Sequence, residues 1–326
     1  MNILVTGGVG YVGSIVTEEL VKAGYQAVIM DNLQQGHKEA LAKGARLVIG
    51  DIRNNEDLDK IFKANKFDAV MHMAGETVVE FSMTDPQRYF HNNITGGINL
   101  LDAMLKYNVK KLIFSSSAAT YGEPKEVPIV ESHPQLPVNS YGETKLMFEK
   151  ILAWYGRAYG LQHISFRYFN AAGASELLGE DHIPETHLIP IVIKATLSTH
   201  GAVSIFGDDY PTKDGSCVRD YVHVKDIAQA HRLALEKVGS LTGRAYNLGN
   251  GNGFSNFEVV EATSRIIGKK TPTKISPRRA GDPAVLVASS DKAKTELGWK
   301  PQFSDLDSII GSAVKWHKAH PRGYTG

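Results

Sequence analysis

Apolar positions change period at the start of the chain. Residues 2–6, Asn-Ile-Leu-Val-Thr, form a short apolar run, whereas Val12, Ile15, Val16 and Leu20 recur at helical spacing, with Gly24 just past the last of them. The run predicts a buried strand and the recurrence an amphipathic helix. Strand-like runs return at 26–30, 46–49, 68–73, 111–115 and 162–166. Between them Leu58, Ile61 and Phe62 form a helical stripe. Asp85-Pro86 has the form of an N-cap with proline at the first helical position, opening a helix through Ile94, Ile98, Leu101 and Leu105. Another helix opens at Tyr141 and carries Phe148, Ile151, Leu152, Tyr155 and Tyr159 on one face.

Strands alternating with helices predict an α/β fold, a Rossmann-like doubly wound parallel sheet whose ligands gather at the carboxyl ends of the strands. Gly7, Asp31, Asp51, Gly75 and Ser117 all fall at such ends. Beyond about residue 170 the texture changes. Residues 177–187 are polar and loop-like, 188–193 begin a helix or a strand, and glycine turns recur at Gly207, Gly215 and Gly249-Asn-Gly251. Residues 258–267 read as helix, and 274–282 as a basic, proline-containing loop. The expectation is a nucleotide-binding domain over 1–170 and a smaller α/β domain over 171–326, some of whose segments pack back on the first, with a cleft between them.

At 326 residues and 42% apolar content the chain can bury a substantial core. A net charge of +1 without a basic run gives no reason to expect nucleic acid or an anionic membrane as partner. The single cysteine, Cys217, excludes an internal disulfide and fits a reducing compartment. No apolar stretch approaches the roughly 18 residues of a membrane span, and Met1 leads directly into the first strand. A cytoplasmic protein without a signal peptide is the expectation.

The turn Gly7-Gly8-Val9-Gly10-Tyr11-Val12-Gly13 lies between a strand and a helix. In that setting glycines let the backbone approach a pyrophosphate, and the helix N-terminus supplies N–H donors. Asp31, 18 residues beyond Gly13, ends the next strand, and no arginine lies in 32–37. A carboxylate there accepts ribose hydroxyls and repels a 2′-phosphate, which points to NAD rather than NADP.

Tyr-x-x-x-Lys occurs four times, at Tyr107/Lys111, Tyr121/Lys125, Tyr141/Lys145 and Tyr221/Lys225. A tyrosine works as a base near neutrality only when a cation lowers its phenol from about 10. That cation must share a helix face with it. Pro124 interrupts the second pair, Val222 and Val224 alternate like a strand inside the fourth, and the first straddles the end of a helix and the start of an apolar run. Only Tyr141 and Lys145 sit in a sustained helical pattern.

Thr6-Gly-Gly-x-Gly-Tyr-Val-Gly13, Asp31-Asn32-Leu33, Ala74-Gly75, Ser115-Ser116-Ser117-Ala118 and Tyr141-x-x-x-Lys145 together resemble the extended short-chain dehydrogenase/reductases. Arg167-Tyr-Phe-Asn170, Phe206-Gly-Asp-Asp-Tyr-Pro-Thr212, Arg219-Asp-Tyr-Val-His223 and Arg278-Arg-Ala-Gly-Asp282 are similar to the UDP-glucose 4-epimerase family within them. The likeness covers nearly the whole chain. It implies an enzyme that inverts C4 of UDP-glucose or UDP-galactose, C4 giving hydride to bound NAD and recovering it on the other face after the 4-keto sugar has turned over. Tyr141 is then the base, Lys145 depresses its pKa and bonds the nicotinamide ribose, and Ser117 holds the 4-oxygen.

The cofactor contacts implied by the resemblance are Gly7, Gly10, Tyr11, Val12, Gly13, Asp31, Asn32, Asp51, Ile52, Met73, Ala74, Gly75, Asn92, Ser115 and Tyr168, with Tyr141 and Lys145. Asn170, His187, Leu188, Phe206, Arg219, Arg279 and Asp282 fall on positions that grip UDP; no metal is implied. An ordinary capping or solvent role stays open for His187, and a turn role for Ser117. A homodimer through helices like those at 85–107 and 141–159 is also implied.

Two departures stand out. Glu76-Thr77 follows Ala74-Gly75, where several members carry a lysine near the cofactor phosphates. Leu286, or Val285 in a register shifted by one, takes the place of a tyrosine that in the family goes with exclusion of N-acetylated sugars. Activity on the UDP-N-acetylglucosamine/UDP-N-acetylgalactosamine pair is therefore an alternative or an addition. A nucleotide-sugar 4,6-dehydratase would need carboxylates just after Ser117, where Ala118-Ala119 stand, and a non-catalytic NAD sensor would not need the Tyr141/Lys145 pair.

Overall fold

A computed structural model describes residues 1–198, 201–279 and 282–325. In chain order, β1 (Asn2–Thr6) passes through the glycine turn into α1 (Tyr11–Lys22), and β2 (Gln26–Asp31) returns beside it. There follow β3 (Arg46–Ile49), α2 (Asn55–Ala64), β4 (Ala69–His72), α3 (Val79–Thr84), α4 (Pro86–Tyr89) and α5 (Gly97–Lys106). Next come β5 (Lys111–Ser117), α6 (Ser140–Tyr159), β6 (Gln162–Tyr168), β7 (Asn170–Ala172), α7 (Leu188–Leu197) and β8 (Val203–Phe206). The chain continues with β9 (Val218–His223), α8 (Val224–Lys237), β10 (Arg244–Leu248), β11 (Gly253–Ser255), α9 (Asn256–Ile267), β12 (Thr273–Ser276), β13 (Val285–Leu286) and α10 (Leu306–Ala319).

Seven strands form one sheet in the order β10-β6-β5-β4-β1-β2-β3, every neighbouring pair parallel. The strand order reverses between β1 and β4, where a doubly wound sheet opens a crevice at its carboxyl edge. Alternate residues of β1 feed opposite cores. Ile3 and Val5 join Ile15, Val16 and Leu20 of α1 and Ile227 and Ala234 of α8, while Leu4 joins Leu58, Ile61 and Phe62 of α2, Leu100 of α5 and Phe148 of α6. Each such aliphatic side chain fully buried contributes roughly 1.5–3 kcal/mol, so the strand ends that carry the polar residues are held from both faces.

The helix predicted from Asp85 forms. The Asp85 carboxylate accepts the Arg88 N–H at 3.3 Å, and the helical rod runs over 86–106 with a wider π-helical turn at Phe90–Gly96. Asn139 caps α6, its Oδ1 accepting the Gly142 N–H at 2.8 Å, and Gly160 ends that helix at φ 70°.

The later part has its own core. Ile189, Val192 and Ile193 of α7 pack with Val203 and Ile205 of β8, Val259 of α9, and Ile309 and Ile310 of α10. Segment 188–193 is thus helix. The expectation of a loop over 274–282 is corrected at its start: Thr273–Ser276 is a strand paired in parallel with β8, half out in solvent, so no apolar alternation marks it. Ala280 and Gly281 of the Arg-Arg-Ala-Gly-Asp stretch lie outside the described residues. β10 extends the large sheet beside β6 and α8 packs on α1, where the Arg232 Nε meets Glu19 at 2.9 Å. No helix among the described residues is long and apolar enough to cross a membrane.

Candidate active site

A cleft of about 390 Å³ opens at the carboxyl edge of the sheet. Its floor is the glycine turn. Gly7 has φ 71°, and a Cβ on it would come within 2.6 Å of the Ala74 nitrogen, so the turns after β1 and β4 touch backbone to backbone. A Cβ on Gly13 would lie 2.1 Å from the Gly7 carbonyl oxygen. Only hydrogen fits at both positions, and the cradle leaves the start of α1 open toward the cleft. Asp31 lines the same cleft with a carboxylate accepting the Leu33 N–H at 2.9 Å and the Val9 N–H at 3.3 Å, while burial raises its pKa. Asn32 donates to Asp51 at 2.9 Å, and Arg53 grips Asp51 through two nitrogens, holding that carboxyl down at about 2. A cradle closed to side chains, followed by a buried carboxylate, fits a dinucleotide with a free ribose hydroxyl pair.

Along this wall the structure brings together Gly7, Gly10, Tyr11, Val12, Gly13, Asp31, Asn32, Asp51, Ile52, Met73, Ala74, Gly75, Asn92, Ser115, Ser117, Tyr141, Lys145 and Tyr168. Tyr11 reaches across with its hydroxyl, donating to the Gly173 carbonyl at 2.6 Å. Tyr168 shares a hydrogen bond with Ser115 at 2.9 Å and another with His231 at 2.7 Å.

At the centre Tyr141, in the first turn of α6, and Ser117, which closes β5, both line the cleft. Burial pushes the Tyr141 phenol up and the neighbouring Ser117 hydroxyl pulls it down, with the rise prevailing. Lys145, one turn on, stands with Nζ 5.8 Å from the Tyr141 ring centroid and donates at 2.8 Å to the Ser115 carbonyl. Burial lowers it to about 8, partly opposed by the charge of Glu149. With Nζ on the Ser115 carbonyl, burial is the larger influence on the Tyr141 phenol.

Several supporting residues lie outside the sequence reading. Glu149 accepts Ser116 Oγ at 2.5 Å and pairs with Arg167 through both oxygens, Nη2 at 2.6 Å and Nε at 3.0 Å, fixing β5 and β6 beside α6. Asn93, on the π-helical turn, accepts the Glu76 N–H at 2.8 Å and donates to the Glu76 carbonyl at 3.1 Å and to Thr144 at 3.0 Å. Glu76 itself is buried in the cleft wall, meeting Arg88 Nε at 2.8 Å, Gln34 at 2.9 Å and Asn92 at 3.2 Å. This carboxylate carries its own cation, Arg88. The Asn-Asn pair was the one local signal, since its partners are 16 and 17 residues away or more.

The opposite wall is built from Asn170, Phe169, Glu180, His182 and His187. Asn170 donates to the Asp220 carbonyl at 3.1 Å, joining the cleft to β9. Arg219 donates to the Val218 and Pro283 carbonyls at 2.9 and 2.8 Å and to Asp282 at 3.1 Å. The Arg279 guanidinium lies 3.9 Å from the Phe206 ring centroid. Leu188 opens α7 and packs on the third core. Phe206, Arg219, Arg279, Asp282, Leu188 and Leu286 do not line the cleft directly; Leu286 packs in the small cluster of Tyr121, Ile129 and Phe169. Around His187 burial lowers the imidazole and the Glu180 and Glu185 carboxylates raise it, the carboxylates prevailing.

A parallel sheet whose glycine turn and acidic strand end face a Ser-Tyr-Lys cluster defines a dinucleotide-dependent class. The NAD dependent epimerase/dehydratase family matches residues 3–249, and the chain belongs to it. Within that family it is similar to the UDP-glucose 4-epimerase of Lacticaseibacillus casei, 49% identical over 99% of both chains. A solved UDP-glucose 4-epimerase superposes with a TM-score of 0.97 at 47% identity, covering 99% of each chain. That of Bifidobacterium longum, in complex with NAD+ and UDP, gives 0.94 at 38% identity over 99% of this chain and 100% of the other.

Proposed function

We propose that the chain interconverts UDP-glucose and UDP-galactose by inverting C4, with weaker activity on the N-acetylated pair. The observation that carries this is the convergence of Ser117, Tyr141 and Lys145 in a cleft walled on one side by the glycine cradle and on the other by Asn170 and His187. When bound, NAD supplies the acceptor for the C4 hydride. The remaining work belongs to side chains. Ser117 receives the sugar 4-hydroxyl and orients it on Tyr141. Tyr141 accepts its proton and returns it when the 4-keto carbon is reduced, so no net proton is lost. Lys145, partly relieved of its charge by burial, stands within reach to favour the phenolate once Nζ leaves the Ser115 carbonyl.

Arg219 and Arg279, loosely engaged by carbonyls, one carboxylate and a ring face, are suited to a diphosphate, which a planar guanidinium meets with two parallel hydrogen bonds. In this reading the large sheet holds the cofactor and the α7–α9–α10 part the nucleotide sugar. The carboxylates that water elimination needs are absent just after Ser117, where Ala118 and Ala119 open a short 3-10 turn. A homodimer through the 86–106 rod and α6 completes the proposal, supported by Trp154 and Tyr159, 65% and 52% exposed on α6. The direct test is incubation with UDP-galactose. UDP-glucose should form without net NADH; a 4-keto-6-deoxy product, or no product, would overturn the reading.

A further inference from the structure

Between β7 and α7 four side chains converge, three of which, Glu180, His182 and His187, also line the cleft. Glu180, His182, Glu185 and His187 each present one ligand-type atom, and those atoms all lie within 4.8 Å of one another. His187 Nδ1 is 2.9 Å from Glu180 Oε1 and 3.0 Å from Glu185 Oε1, and His182 Nδ1 is 3.2 Å from the same Glu180 oxygen. Glu180 is only 6% exposed. Its Oε1 is enclosed, as are His182 Nδ1 and Glu185 Oε2, and none of the three makes a hydrogen bond of proper geometry. The buried Glu180 oxygen is ion-paired with both imidazole nitrogens yet aligned for a hydrogen bond with neither, an arrangement that a cation at the centre would satisfy better.

We propose that Glu180, His182, Glu185 and His187 bind one zinc ion, which fixes this wall of the cleft. Ligands about 2.0–2.1 Å from a tetrahedral zinc stand roughly 3.3 Å apart, and the three shortest separations here, 2.9, 3.0 and 3.2 Å, are within a few tenths of that. Two neutral imidazoles and two carboxylates balance a divalent charge. Mixed nitrogen and oxygen donors suit zinc better than calcium or magnesium, which take six or more oxygens. Four protein ligands leave no open position, so the site is structural and does not itself activate a substrate.

The spacing Glu-x-His-x-x-Glu-x-His lets one loop enclose the ion. That loop has other anchors which an ion would complete. Tyr11, of the glycine turn, stands edge-on to the His182 ring at 6.2 Å and donates to the Gly173 carbonyl, and His37 bonds the Asp181 carbonyl at 2.9 Å. Since His187 immediately precedes α7, the ion also sets where that helix begins. The proposal stands apart from the sugar reading, because zinc content is measured without substrate.

The test uses the holoprotein, cofactor retained. After incubation with zinc and desalting, the wild type should keep about one zinc per chain by elemental analysis, whereas His182→Gln and Glu185→Gln should each keep at least about tenfold less. Cobalt(II) in place of zinc should give wild type the intense visible absorption of four-coordinate nitrogen and oxygen ligation. That spectrum and the wild-type stoichiometry decide the matter even if a variant fails to fold. Wild type without retained zinc, equal zinc in both soluble variants, or the weak bands of six-coordinate cobalt would overturn the site.

Discussion

On the sheet side of the cleft, Gly7, Asp31 and Ser117 stand at the ends of strands locked in register, and backbone atoms shape the surface. On and behind the other side the polar groups stand on loops and short strands and are held mainly by one another: His187, in the wall, by two carboxylates, and behind it Arg279 by the Phe206 ring and Arg219 by Asp282 and two carbonyls. The difference has a mechanical meaning. A surface made by touching backbones has no room for an added atom, so changes there should act almost as switches. A surface made by side chains can re-form around a substitution, so changes there should be graded.

The sharpest break of that contrast is at its centre. Tyr141→Phe keeps the ring and its packing and removes only the hydroxyl that faces the cleft beside Ser117, so turnover should fall by about 10²–10⁴ while the cofactor stays bound. Normal turnover would remove Tyr141 from the reaction. Gly13→Ala tests the backbone wall, since its methyl would sit 2.1 Å from the Gly7 oxygen. We expect cofactor retention to fall by more than about a hundredfold, with a loss of roughly 1–3 kcal/mol in stability by denaturant titration. Near-normal retention would show that the turn can yield.

Asp31→Ala should weaken NAD by about ten- to a hundredfold, the range for lost hydrogen bonds to a charged group, and relax the discrimination against NADP. An unchanged preference in binding titrations would mean that the ribose is read elsewhere. The smallest effect belongs to the graded side. Leu286→Tyr adds a ring and a hydroxyl to the cluster around Phe169 and should reduce activity on UDP-N-acetylglucosamine by about tenfold while sparing the plain sugars. Equal rates on both pairs before and after the change would take Leu286 out of the selection.

This contrast also explains what could be read from the chain alone. The strand-end residues were legible because period and turn chemistry are local: apolar runs end at Gly7, Asp31 and Ser117, and only one of the four Tyr-x-x-x-Lys pairs shares a helix. Tyr107 ends α5 before Lys111 opens β5, Tyr121 and Lys125 lie in the loop beyond β5, and Tyr221 and Lys225 divide between β9 and α8. What stayed hidden depends on distant partners. β12 is a half-exposed edge strand without alternation. The Glu76–Arg88 pair joins residues 12 apart across the cleft wall, and the Glu149–Arg167 pair joins residues 18 apart on different elements. The resting position of Lys145 on the Ser115 carbonyl was equally out of reach, because spacing places two residues on one face without saying which neighbour each prefers.

The account turns on whether the atom removed from C4 comes back to C4 of the same sugar. Epimerisation of UDP-galactose carrying deuterium at C4, run in deuterium-free water to equilibrium and followed by NMR, measures this directly. Deuterium should remain at C4 in both the UDP-glucose formed and the UDP-galactose left. Its appearance in solvent, with hydrogen at C4 of the product, would contradict hydride return and leave Tyr141, Ser117 and Lys145 serving a different reaction.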